Sequence, residues 1–250
     1  MLRFRGQLAH RRDCQGRSPL ARDNERSRSD LGRVSCRLRG QDLYAVGESV
    51  RVVLWCNGSP PPTMVIDSVI TNGVPVFGVD GGADSAEELG IEVTEVLGDL
   101  DSVIVERWEG RSLELPGQTT SDLAKSLVLL IERGAMEIDV VGIDGGEADH
   151  VLANWAAMLD APAGAIIRMH HESRITTRVH PEDGEFFLEI GIGESFSVFA
   201  LEPGKVWISG AKWEMDGEFL ALSSRGLHNE GNGVTVSIRG EGVLAVISGC

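Results

Sequence analysis

The hydrophobic pattern changes twice along the chain. Through residues 1–48 apolar positions recur with a period of neither 2 nor 3.6, and Arg is scattered among Ser, Asp and Gly, so this stretch buries little surface and is expected to be a disordered leader. Order is expected from the buried-strand run at 50–55, which stops at Cys56-Asn57-Gly58-Ser59-Pro60-Pro61. From there to about residue 160, β-branched runs at 74–79, 95–97 and 138–143 alternate with helical stretches at 85–89, 121–133 and 148–159. Gly90 and Gly134 close the first two helices. Such alternation builds a parallel sheet covered by helices, whose ligands gather beyond the carboxyl ends of the strands.

From about residue 174 the texture shifts to short alternating runs at 186–190, 195–200, 205–208, 218–222, 234–238 and 243–247, separated by Gly, Asp, Asn and Pro. Six short strands without a helix-length pattern predict an antiparallel β-sandwich. The expected fold class is therefore α/β, with a parallel-sheet α/β domain at 49–173 followed by an antiparallel β-sandwich at 174–250. No internal repeat relates the halves.

Composition narrows the chemistry. With 250 residues, 42% of them apolar, the chain can build real cores. Its net charge of −15 is uneven: residues 1–50 hold eleven Arg against six acids, and the remainder holds 12 Lys and Arg against 32 acids. So acidic a body repels nucleic-acid backbones and anionic membranes, which excludes both as partners and leaves phosphate binding to a local, metal-assisted site. The bland reading of the acidity is a solvated, self-repelling surface.

Cys14, Cys36, Cys56 and Cys250 form no Cys-x-x-Cys pair, which argues against a zinc site or a disulfide framework and for a reducing compartment. No apolar run reaches the ~18 residues of a membrane span, and the leader lacks the apolar core of a secretory signal. Asp13, Asp23, Glu25 and Asp30 are too many acids for a mitochondrial presequence. A cytoplasmic location is the expectation.

Two acidic clusters end apolar runs: Val79-Asp80-Gly81-Gly82-Ala83-Asp84 and Gly98-Asp99-Leu100-Asp101-Ser102. Asp99 and Asp101 share one face of an extended segment and can converge on a hard cation such as Mg²⁺, which points to metal-assisted phosphoryl chemistry. A turn in which Asp accepts backbone N–H groups is the structural alternative. Gln118-Thr119-Thr120-Ser121-Asp122-Leu123-Ala124-Lys125 opens the next helix, with Thr119 and Asp122 at capping-box spacing. A helix start also offers N–H groups to phosphate; Asp122 would complete a metal site with Asp99 and Asp101, and Lys125 would neutralise phosphate charge.

Gly145-Gly146-Glu147-Ala148-Asp149-His150 follows another strand. Its paired glycines would let a polyphosphate or nucleoside approach the backbone, and Asp149 suits a helix start. His150 reads as structural. Gly210-Ala211-Lys212-Trp213 and His228-Asn229-Glu230 could hold a flat heteroaromatic ring, although by themselves a core-edge Trp and a turn Asn are the better explanation.

In this order the segments resemble the thiamine pyrophosphokinase (thiamine diphosphokinase) family from about Val52 to the C-terminus. That family shows Asp-Gly-Gly-Ala, Gly-Asp-(Phe/Leu)-Asp-Ser, Gln-x-x-Thr-Asp-x-x-Lys, Gly-Gly-Arg-x-Asp-His before Leu-Ala-Asn, then Gly-Leu-Lys-(Tyr/Trp) and Ser-Asn-Glu. The resemblance implies an α/β domain for nucleotide and pyrophosphate transfer and a thiamine-binding sandwich. It further implies a homodimer with active sites at the subunit interface, ATP as cosubstrate, and AMP and thiamine diphosphate as products. Asp99, Asp101 and Asp122 would then hold Mg²⁺ and carry catalysis, with Asp101 or Asp122 as the base. Asp80, Gln118, Ser121, Lys125 and Asp149 would contact nucleotide or phosphate, and Trp213 and Asn229 would lie nearest thiamine.

Four positions depart from the pattern. Glu147 stands in place of Arg, Gly117 in place of an Asp, Ser121 in place of Thr and His228 in place of Ser. Three alternatives stay open: a pyrophosphokinase for another heterocyclic alcohol such as a pterin, a non-catalytic thiamine or nucleotide binder, and a haloacid-dehalogenase-like phosphatase with Asp99 as nucleophile.

Overall fold

The computed structural model describes residues 50–71 and 73–249; the leader expected at 1–48 lies outside the described residues, as do Cys14, Cys36 and Cys250. The first apolar run forms β1 (Arg51–Trp55), and a short helix α1 (Thr63–Val69) follows, burying Val65 and Val69 one turn apart. Three consecutive prolines hide this helix in the sequence, yet Pro62 simply precedes its first turn, where a missing N–H is harmless.

Next come β2 (Val76–Val79), α2 (Gly82–Glu88), β3 (Glu95–Gly98) and β4 (Ser112–Glu114), then α3 (Asp122–Glu132), β5 (Glu137–Val141) and α4 (Ala148–Asp160). The second half holds β6 (Ile166–His170), β7 (Arg174–Val179), β8 (Phe186–Leu188), β9 (Ser195–Ala200), β10 (Gly204–Ser209), β11 (Met215–Leu220), β12 (Asn229–Glu230), β13 (Val236–Gly240) and β14 (Leu244–Gly249).

Ten strands form one sheet in the order β12-β9-β14-β7-β6-β5-β1-β2-β3-β4, and four form a second in the order β11-β10-β13-β8. Pairing is parallel from β6 through β5, β1, β2 and β3 to β4. At β6 the direction reverses: β7 returns as a hairpin, Met169 facing Thr176, and β14, β9 and β12 continue antiparallel. Parallel and antiparallel halves thus share one hydrogen-bonded ladder, the result of β6 and β7, two strands that the pattern of apolar runs had not revealed.

Each face of the sheet is buried differently. Val52, Leu54, Phe77 and Leu97 pack with Leu127 and Leu130 of α3 and Met158 of α4. Val53, Trp55 and Val96 face Val65 and Val69 of α1 and Ala83 of α2. Farther along, Phe196, Val198, Leu244 and Val246 of the large sheet meet Val206, Ile208, Leu220 and Ile238 of the small one, so two sheets enclose an apolar layer as a sandwich does.

A charged network sits in the parallel half. The Asp139 carboxylate, almost wholly buried on β5, accepts from Arg51 Nε at 2.5 Å and pairs with His170 Nε2 at 2.7 Å, while Arg168 bridges to Glu137 at 2.9 Å. Burial alone would push the Asp139 carboxyl up; hydrogen bonds and charge from His170 and Arg51 outweigh it and hold it below the ordinary range. Since its folded pKa is depressed, the stability it contributes is present above the ordinary carboxylate range near pH 4 and is lost as pH falls through the folded value. Asp139→Asn is expected to lower unfolding free energy by about 3 kcal/mol at pH 7, because Arg51 and His170 lose their counter-charge. Urea denaturation at pH 7 and pH 3.5 checks this: the deficit must shrink at the lower pH.

Candidate active site

Two strand ends and one helix start bring three carboxylates together. Asp80 follows β2, Asp99 follows β3, and Asp122 opens α3; one oxygen from each lies within 4.8 Å of the others. Parallel pairing of β2 with β3, Val79 opposite Leu97, sets the first two side by side. Asp80 adopts a left-handed backbone (φ 49°) in which its N–H reaches Leu97 O at 2.9 Å. Gly98 leaves it room, since a Cβ there would stand 3.2 Å from Asp80 Cβ. The Asp99 N–H donates to Asp122 Oδ1 at 3.1 Å and ties the helix start to the strand end.

Asp101 borders this trio without joining it. Its carboxylate is exposed and accepts from the Ser102 hydroxyl at 2.7 Å, which, with contacts to Asp80 and Asp99 and the charge of Lys125, holds it below the ordinary range. Asp80 moves the other way: burial pushes its carboxyl up to about 6, hydrogen bonding from Ser102 opposes the rise and Asp101 adds to it. Its Oδ1 has no hydrogen-bond partner among the described residues although Asp80 is only 8% exposed. A buried, unpaired hard oxygen beside two further carboxylates is the donor set of a divalent cation such as Mg²⁺, so these residues fit one.

The segment before α3 completes the cluster. Gln118 Nε2 donates to Asp99 Oδ2 at 3.4 Å, and Lys125 Nζ lies 2.6 Å from Asp122 Oδ1. Ser121, not Thr119, caps α3, its hydroxyl accepting from Ala124 N at 3.2 Å. The capping-box spacing therefore misplaced the cap by two residues. Asp84, which sequence reasoning left without a role, anchors the loop after Asp101 by accepting from Ile104 N and Trp108 Nε1 at 2.8 and 2.9 Å.

Glycines at this edge serve packing more than open space. Gly82 begins α2, and a Cβ on it would stand 2.3 Å from Trp55 O. The loops after β1 and β5 interlock through Gly58 N to Gly142 O at 2.7 Å and Ser59 N to Asp144 O at 2.6 Å. Gly145 abuts Ser59, and only Gly146 of the pair opens onto free space. His171 steadies this corner, its ring nitrogens meeting Asp144 Oδ1 at 2.7 Å and Thr176 Oγ1 at 2.9 Å. Nothing in the sequence marked His171, because its partners sit on another strand and another loop. Asp149 and His150 stand exposed in the first turn of α4, beyond β5 and two strands from β2 in the sheet order.

Trp213 and Asn229 form a second locus. The Trp213 N–H donates to Asn229 Oδ1 at 3.1 Å and Asn229 Nδ2 donates back to Trp213 O at 2.7 Å, so the amide fixes the backbone under the indole. Trp213 is 53% exposed, with Lys212 Nζ 4.4 Å from its ring centroid. Both residues line a cleft of about 550 Å³ with Glu214, Glu218, Arg225 and His228. His228 holds a left-handed backbone (φ 59°) and donates its N–H to Ser197 Oγ at 3.1 Å.

Residues 67–168, which include every carboxylate of the cluster, match the family model described as thiamin pyrophosphokinase, catalytic domain. Over that segment, about two fifths of its length, the chain is similar to the catalytic domain of thiamin pyrophosphokinases. Its fold is similar to that of thiamine pyrophosphokinase from Bacillus subtilis, at a TM-score of 0.64 and 21% identity over 80% of this chain and 98% of that one. It also resembles thiamin pyrophosphokinase from Candida albicans, at a TM-score of 0.63 and 14% identity over 85% of this chain and 97% of that one. No curated protein matches the chain by sequence.

The interlocked loops generate a test. A Cβ on Gly58 would stand 2.4 Å from Gly142 O and 2.5 Å from Asp144 O, two backbone atoms that cannot rotate aside. Gly58→Ala is expected to destabilise the fold by about 2 kcal/mol in urea denaturation; a loss under about 0.5 kcal/mol would show that the loops separate freely.

Proposed function

We infer that the protein is a thiamine pyrophosphokinase, transferring the terminal pyrophosphoryl group of ATP to the primary hydroxyl of thiamine and releasing AMP. The observation that carries this reading is the convergence of Asp80, Asp99 and Asp122 inside the segment that matches the family's catalytic domain. The thiamine oxygen bonds to the β-phosphorus, the bond from that phosphorus to the oxygen bridging the α-phosphate breaks, and that oxygen leaves on AMP. Positioning and charge neutralisation supply most of the catalysis, since phosphoryl transition states ask little covalent chemistry of the protein.

Asp80, Asp99 and Asp122 would hold Mg²⁺, with Asp101 at their border completing the acidic rim. Mg²⁺, when bound there, offsets polyphosphate charge. Asp101 accepts the thiamine hydroxyl proton: its carboxylate is exposed at the rim, whereas Asp122 Oδ1 is taken by Asp99 N–H and Lys125. Gln118, Ser121 and Asp149 face the nucleotide. Trp213 and Asn229 hold thiamine, the indole presenting a flat apolar face to its rings.

Residues 49–173 act as the pyrophosphate-transfer domain and 174–250 as the thiamine domain. The cleft at Trp213 shares no lining residue with the carboxylate cluster, a separation that a homodimer resolves by setting the cleft of one protomer against the cluster of its partner. Glu147 is exposed at the start of α4 and is not one of the converging carboxylates.

Incubation of the full chain with MgATP and thiamine is expected to yield AMP and thiamine diphosphate in equal amounts by liquid chromatography. Release of ADP, or preference for a pterin alcohol over thiamine in the same assay, would overturn the assignment. Asp101→Asn is expected to lower kcat about 100-fold while MgATP still binds; full activity in that variant would remove Asp101 from the mechanism.

A further inference from the structure

The Lys125 ammonium is fully occupied within the chain. Its Nζ donates to Leu115 O at 2.9 Å and Gly117 O at 3.1 Å and lies 2.6 Å from Asp122 Oδ1. An ammonium has three donors and no acceptor, so these three partners use all of it. The side chain is 14% exposed, and a phosphate oxygen could recruit the amine only by displacing one of the three.

Those partners belong to two different parts of the cluster. Leu115 and Gly117 bracket Pro116 immediately before Gln118, whose amide reaches Asp99 Oδ2. Asp122 is one of the three converging carboxylates, and its Oδ1 also takes the Asp99 N–H. One amine on the first turn of α3 therefore sets where the Gln118 loop lies and how the Asp122 carboxylate is turned. Gly117, with φ at +120° and open space around it, gives that loop no stiffness of its own.

We propose that Lys125 is a positioning residue for pyrophosphoryl transfer, an internal tripod that fixes the Gln118 loop and the Asp122 carboxylate, and not a ligand of the ATP phosphates. This rests on the pyrophosphokinase reading given above. The tripod needs three donors diverging from one nitrogen. Arg keeps the charge and binds phosphate well, but its planar fork cannot reproduce that geometry.

Lys125→Arg and Lys125→Met in the full chain test the proposal through three measurements. In steady-state assays with MgATP and thiamine, both variants are expected to lose kcat at least about tenfold. By titration calorimetry without thiamine, the MgATP dissociation constant is expected to stay within about twofold for Lys125→Arg and to rise no more than about threefold for Lys125→Met. By hydrogen exchange, the peptide spanning 113–122 is expected to exchange at least about fivefold faster in both variants.

A phosphate ligand would give the opposite pattern, with Lys125→Arg near wild type in kcat and Lys125→Met weakened tenfold or more in MgATP affinity. Either of those results, or unchanged exchange over 113–122, overturns the proposal. If wild type makes no thiamine diphosphate, the pyrophosphokinase reading fails by itself, and the calorimetric and exchange measurements still decide whether Lys125 holds the loop or binds the nucleotide.

Discussion

Three carboxylates confined within 4.8 Å of one another repel, and strand register, the Asp99 N–H and the Lys125 ammonium hold them there. At such separations each like-charge pair opposes folding by about 1 kcal/mol in a watery setting and by about 4 kcal/mol in a half-buried one. Nothing local to Asp80, Asp99 or Asp122 favours the arrangement. Register between β2 and β3 supplies two of the three, and the hydrogen bond from Asp99 N–H to Asp122 supplies the third. Burial pushes the Asp80 carboxyl up to about 6, with Asp101 adding to the rise, and one of its buried oxygens has no hydrogen-bond partner among the described residues. A divalent cation bound among these oxygens would offset that concentration of negative charge.

The rigidity that holds the carboxylates comes from close packing at the carboxyl edge of the sheet. Gly78 permits α2 to lie against β2, where a Cβ would stand 2.4 Å from Ala83 Cβ, and Gly58 and Gly142 permit the β1 and β5 loops to interlock. The Gly145-Gly146 pair reads in the sequence as room for a polyphosphate, yet a Cβ on Gly145 would stand 2.1 Å from Ser59 Oγ. Gly146 alone of the Gly145-Gly146 pair keeps the open role, having no neighbour within 4 Å.

The continuous ten-stranded sheet gives the two loci a fixed relation within the chain. The hairpin between β6 and β7 carries the change from parallel to antiparallel pairing. Beside it, Asp139 ties β1 to β6 through Arg51 and His170, and Arg178 on β7 donates to Ala161 O and Ala165 O just beyond α4. Buried charges are costly, and these occur where strands of opposite direction and different covering layers must meet in one register.

Sequence alone determined the elements whose signals are local. The amphipathic run and polar start of α3, the alternation of strand and helix through about residue 160, and the short strands after 186 all arise from neighbours along the chain. The Asp-x-Asp pair and the Gln118–Lys125 segment were likewise legible, because their residue types and spacing stand together. Tertiary structure decided what depends on partners far away in sequence. It placed Asp80 among the converging carboxylates and set Asp101 at their border, since register between strands governs distance across a sheet and spacing along one strand does not. It gave the α3 cap to Ser121, engaged all three donors of Lys125, and revealed β6 and β7, whose pairing joins both halves into one sheet.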